Sequence, residues 1–118
     1  PRLRALSPEE RAAFPVLGAS CHSLEDVREA AELGCSYGTL GHIFPTGCKP
    51  GLPPRGVELL AQVCQASPLP VYAIGGVGPG NIAQVKQAGA AGACVMSGFM
   101  TAPDPARLVG QLRKEAEL

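Results

Sequence analysis

Four short apolar runs, at residues 16–19, 36–40, 70–74 and 93–96, alternate with segments whose apolar residues recur at helical spacing. Ser7 precedes Pro8, Glu9 and Glu10, a capping hydroxyl followed by an N-terminal proline and a reciprocal glutamate, so a short helix starts there. Ser23 and Asp26 bracket a second helix start, with Val27, Ala30, Ala31 and Leu33 as its buried stripe and Gly34 as its left-handed cap. Further helices are expected over 57–66, over 81–88 before Gly89, and over 105–117. Strand, helix, strand, helix with short connections specifies a parallel α/β sheet. The runs are apolar throughout, the pattern of strands covered on both faces.

The unit length is about 25 residues, so eight units would need about 200, the size of a compact (β/α)₈ barrel of the TIM type. The chain has 118 residues, enough for a single domain, 1–118, carrying four such units. Four strands in an open parallel sheet leave two bare edges. Either an N-terminal half-barrel is missing or a homo-oligomer supplies it. An internal echo supports the repeat: Leu33-Gly34 leading to Gly41-His42 matches Ala88-Gly89 leading to Met96-Ser97. His42 and Ser97 thereby take equivalent places past a strand's C-terminal end, where βα folds bind ligands.

Charge and cysteine usage exclude several classes. Ten basic and ten acidic residues give a net charge of +0 with no basic stripe, which gives a nucleic-acid partner no electrostatic support. No apolar run reaches the length that spans a bilayer, and there is no signal-peptide pattern; the chain begins at Pro1 rather than Met. Five cysteines, an odd number with no C-x-x-C pair, fit neither a disulfide framework nor a zinc knuckle. A reducing, cytoplasmic setting is expected.

The segment from Pro70 to Asn81 runs an apolar strand straight into Gly75, Gly76, Gly78 and Gly80 before a helix. Glycines let the backbone approach an anion closely, and main-chain N–H groups there can hydrogen-bond phosphate oxygens. Ser97 and Gly98 repeat the arrangement at the next strand end, and barrel phosphate sites are commonly built from the last two strand ends. The plainer reading, glycines serving tight turns alone, leaves four so closely spaced without a reason.

The loop after the second strand places His42, Thr46, Cys48 and Lys49 within eight residues. An imidazole there titrates near neutrality and serves as acid and base. The bland counterparts are a hydrogen-bonded structural histidine, a turn-capping hydroxyl and a solvated lysine. A Cys48–His42 nucleophile lacks a visible third orienting group. His22 reads as a pocket-wall or capping residue, and Arg55 as an anion ligand or a surface residue.

Gly18-Ala-Ser-Cys-His-Ser-Leu-Glu-Asp26, Gly41-His-Ile-Phe-Pro-Thr46 with Lys49-Pro-Gly51, and Ala73-Ile-Gly-Gly-Val-Gly-Pro-Gly-Asn81 resemble two related families. These are thiamin phosphate synthase and the TenI-type thiazole tautomerase, and the likeness covers about residues 16–110. The resemblance implies that the chain holds strands five to eight of that barrel. Gly41-His42-Ile43-Phe44, Cys48-Lys49, Gly51-Leu52, Arg55-Gly56 and Met96-Ser97-Gly98 look like the tautomerase, whereas Pro45-Thr46 looks like the synthase. The histidine tips the reading toward an isomerase that aromatises a thiazole carboxylate phosphate in thiamin biosynthesis.

On that resemblance His42 transfers the proton and N–H groups of Gly75, Gly76, Ser97 and Gly98 hold the phosphate. Lys49 offsets the carboxylate, Thr46 hydrogen-bonds the ligand, and no cofactor or metal is needed. The alternative is the synthase, a transferase joining a pyrimidine pyrophosphate to the thiazole phosphate with Mg²⁺, whose metal aspartates lie in the half absent here. A third reading is a non-catalytic half-barrel that binds a phosphate ligand.

Overall fold

The fold is described from a computed structural model covering residues 2–45, 54–95, 98, 100 and 102–116. Its elements run α1 (Arg2–Ala5), α2 (Pro8–Ala12), β1 (Gly18–Cys21), α3 (Leu24–Glu32), β2 (Tyr37–Leu40), α4 (Val57–Ala66), β3 (Val71–Ile74), α5 (Ile82–Gln87), β4 (Gly92–Cys94) and α6 (Pro105–Ala116). The four strands form one sheet in the order β1-β2-β3-β4, every pair parallel. All four C-terminal strand ends therefore lie along one rim.

The helix starts follow the expected chemistry. Ser7 and Glu10 form a reciprocal capping box at α2, and the Ser23 hydroxyl accepts from the Asp26 N–H at α3. α4 spans the expected residues. β1 is displaced: it covers Gly18–Cys21 instead of 16–19, and Val16 is 65% exposed. Packing sets this register, because Gly18 pairs with Tyr37 and a Cβ on Gly18 would sit 2.2 Å from the Tyr37 ring. β4 begins one residue earlier than expected, while Met96 falls outside the described residues. The short helix α1 had no sequence signal.

One face of the sheet carries the core. α3 packs on β1 and β2, α4 on β3, α5 on β4 and α6 on α5. Val27, Ala30, Leu60, Val63 and Val85 from the helices meet Cys21, Leu40, Val71 and Ala73 from the strands. The opposite face is only half-buried although its residues are largely apolar. Tyr37 and Tyr72 meet there edge to face, centroids 5.6 Å apart at 82°, above Gly18 and Gly92 of the flanking strands. No helix of the described residues is long and apolar enough to cross a membrane.

Leu40 is 0% exposed at the centre of this core. Leu40→Ala should cost about 2–5 kcal/mol, read as a lowered urea midpoint at unchanged m. Burial, aided by Asp26 and Cys35, pushes the Cys21 thiol up to about 11. A raised folded-state value favours the neutral thiol, so its contribution is complete below the unfolded value of about 8.5 and is lost toward pH 11. Urea midpoints of wild type should fall over that window and those of Cys21→Ala should not fall as steeply.

Candidate functional site

The rim is built by two strand tips locked against each other. Past β2 the chain stays extended alongside the β3 turn: the Ile43 N–H donates to Ile74 O at 3.1 Å and the Phe44 N–H to Gly75 O at 3.1 Å. On its other side the tip is pinned by the start of α4. The Arg55 N–H donates to His42 O at 2.7 Å, the Gly56 N–H to Ile43 O at 3.0 Å, and Arg55 Nε to Gly41 O at 3.1 Å. His42, joined to Gly41 by a cis peptide, is only 7% exposed.

The β3 turn explains two of its glycines sterically. Gly75 has φ +97 and Gly76 φ +70, where a Cβ is strained. A Cβ on Gly75 would lie 2.2 Å from His42 Cβ, and one on Gly76 would lie 2.6 Å from Pro45 O. These glycines therefore bring the β3 turn and the His42 segment into direct contact. Among the described residues, no acceptor engages the N–H of Gly75 or of Gly76. The rest of the turn uses its own donors: the Gly78 N–H donates to Asn81 Oδ1 at 2.8 Å and the Gly80 N–H to Glu115 Oε1 at 2.8 Å. Asn81 Nδ2 closes the turn onto Gly76 O at 2.9 Å.

The other expected residues divide. Gly98 follows β4, with Val95 against its Cα. Thr46, Lys49 and Ser97, and also Cys48, lie outside the described residues. His22 stands at the β1 tip, where its N–H donates to Asp26 Oδ2 at 2.8 Å and its Nδ1 lies 3.8 Å from that oxygen. The N-cap of α3 is Ser23, and of the two roles expected of His22 it takes that of a wall residue, lining the groove beside β1. The sequence reading missed the Asn81 clasp, whose local signal is an Asn three residues after Gly78, and Glu115 carried no local signal because it arrives from α6, distant in sequence. The described residues contain no group of three or more His, Cys, Asp or Glu placed to hold a metal. A groove of about 650 Å³ also runs beside β1, lined by Gly18, Ala19 and Ser20 and bordered by the Arg4–Glu29 ion pair.

The fold and site define a parallel α/β class in which a glycine-rich strand tip packs on a buried histidine. Comparison with known proteins refines this. The thiamine monophosphate synthase family, TMP-TENI, matches residues 6–99, and the chain belongs to it. The thiamine-phosphate synthase of Caldivirga maquilingensis is 38% identical over 99 residues, 84% of this chain and 48% of that protein. The thiamine-phosphate synthase of Pyrococcus abyssi is 38% identical over 102 residues, 86% of this chain and 49% of that protein. The solved thiamine phosphate pyrophosphorylase of Pyrococcus furiosus superposes with a TM-score of 0.81 at 33% identity, covering 93% of this chain and 54% of that one. The chain thus spans about half the length of the curated relatives it matches.

These relatives overturn the isomerase expectation. They are thiamine-phosphate synthases, not thiazole tautomerases, so aromatisation of a thiazole carboxylate phosphate is not the activity they support. The expectation rested on His42 as a residue chosen for acid–base capacity. Its backbone gives another reason for its place: it forms the contact surface for Gly75 and the acceptor for Arg55.

The steric reading separates two glycines. Gly75→Ala meets His42 as well as an unfavourable φ and should cost about 2–5 kcal/mol. Gly80→Ala has φ +89 but nothing within 4 Å of its Cβ, and should cost only about 1–2 kcal/mol. Urea unfolding of the two variants checks this, and equal losses would contradict the tight contact.

Proposed function

We propose that this chain supplies the C-terminal half of a thiamine-phosphate synthase-type transferase, with β1–β4 as strands five to eight of a (β/α)₈ barrel and residues 1–118 as one domain. The observation that carries the reading is the strand-tip site, Gly75–Gly76 against His42, in a chain whose relatives carry that name. The bare β1 edge, its groove and the half-exposed Tyr37–Tyr72 face fit a sheet awaiting four more strands. An N-terminal half-barrel or a second copy of the chain would provide them. The cysteine pattern fits a reducing, cytoplasmic setting.

The reaction joins a pyrimidine methylene pyrophosphate to a thiazole phosphate. The C–O bond to pyrophosphate breaks, its electron pair leaves with the pyrophosphate, and the thiazole nitrogen's lone pair forms the new C–N bond. A neutral thiazole nitrogen carries no proton, so coupling needs no base, and His42 serves by shaping the wall that holds the ring. The Gly75 and Gly76 N–H groups, with those of Ser97 and Gly98 at the next strand end, hold the thiazole phosphate. Lys49 is assigned to offset ligand charge and Thr46 to hydrogen-bond the ligand, both residues lying outside the described ones. We assign no metal ligand to this chain.

To test this, the chain is combined with the separately produced N-terminal half of the Pyrococcus furiosus relative, both substrates and Mg²⁺. Thiamine phosphate should appear by mass, with one pyrophosphate released per product. Assembly of the two halves with bound thiazole phosphate but no change in substrate masses would remove the transferase reading.

A further inference from the structure

We infer that Arg55 is a positioning residue of this site, clamping the β2 tip so that His42 stays seated on Gly75; its catalytic consequence rests on the transferase reading above. Arg55 contacts the tip twice. Its main-chain N–H holds His42 O at 2.7 Å and its Nε holds Gly41 O at 3.1 Å, so the carbonyl of the Gly41–His42 peptide and that of the following peptide are tied to one residue.

The local chain is suited to this. Pro54 restricts the backbone just before Arg55. Gly56 follows at φ +87 as the N-cap of α4, a turn that a Cβ would strain. The long connection between β2 and α4 is thereby closed at its neck, since Gly56 N–H also reaches Ile43 O at 3.0 Å. The described ion pairs, Arg4–Glu29 and His22–Asp26, leave Arg55 out. The described contact of its guanidinium is a backbone carbonyl, and a hydrogen bond from a charged donor is among the stronger kinds.

The consequence is mechanical. Opposite the clamp, the tip is held to β3 through the Ile43 and Phe44 N–H groups. Loosening the Arg55 side removes one of the two walls between which residues 41–44 lie. The Gly75 contact then relaxes, and with it the spacing between the His42 wall and the glycine donors. Substitution of Arg55 leaves its main-chain hydrogen bond in place, so the exposed side chain can be changed without removing the whole clamp.

Three near-isosteric variants separate hydrogen bonding from charge. Arg55→Gln puts an uncharged amide N–H where the guanidinium Nε stands, and so keeps the bond. Arg55→Met fills the same space with no donor, and Arg55→Lys keeps the charge with a point donor. Amide hydrogen exchange is measured on the full chain, and the coupling assay on the two-half assembly. R55M should speed exchange at Ile43 and Phe44 about threefold to tenfold, leave Ala73 unchanged, and raise KM for thiazole phosphate by a similar factor with little change in kcat. R55Q should recover most of both losses.

If exchange and KM follow charge, with R55K like wild type and R55Q like R55M, the inference is overturned. Unchanged exchange in R55M overturns it as well. If R55M loosens Ile43 and Phe44 while no variant, wild type included, couples the substrates, the clamp stands and only the transferase reading falls.

Discussion

The site depends on one close approach: the α-carbon of Gly75 against His42. The 2.2 Å that a Cβ would leave there means that any other residue forces the β2 and β3 tips apart. That contact fixes the spacing of the rim, and the Phe44-to-Gly75 and Ile43-to-Ile74 hydrogen bonds hold it. Further along the turn the Gly78 N–H is satisfied by Asn81 and the Gly80 N–H by Glu115. Beside the buried histidine, the N–H groups of Gly75 and Gly76 have no acceptor among the described residues. A rigid scaffold carrying a few donors on a loop is the usual division of labour in βα folds.

The same use of glycine recurs below the rim. Tyr37 and Tyr72 occupy the face away from the helices because Gly18 and Gly92 make room beside them. Apolar strands half-exposed on that face, and parallel edges at β1 and β4, describe a sheet built to be covered on both sides. The synthase relatives that the chain matches are about twice the length of the matched segment.

Much of the fold was legible because it is written locally. The Ser7 box, the Ser23 cap and the spacing of Val57–Ala66 encode their helices within a few residues. The β1 boundary was not, since it is decided by Tyr37 packing on Gly18 across the sheet. At the site, Gly75, Gly76 and His42 are legible as a cluster, but the sequence offers only anion approach or a tight turn as the reason for the first two. Their contact with residues 42–45 is a tertiary fact that no local pattern carries. Arg55 was seen as an anion ligand or surface residue, because its partners are backbone carbonyls of a segment fourteen residues upstream. The choice of reaction failed for a related reason: His42 was judged by its side-chain chemistry, while its main chain explains its position equally well.

The central claim, that the Gly75–Gly76 turn is where this chain grips a phosphate, is tested most directly by amide chemical shifts of the full chain titrated with inorganic phosphate. Saturable shifts at Gly75, Gly76 and Gly98, with Gly78 and Gly80 unmoved, are the result expected. Saturable shifts confined to the Arg4 groove beside β1, with the glycine turn silent, would contradict the account.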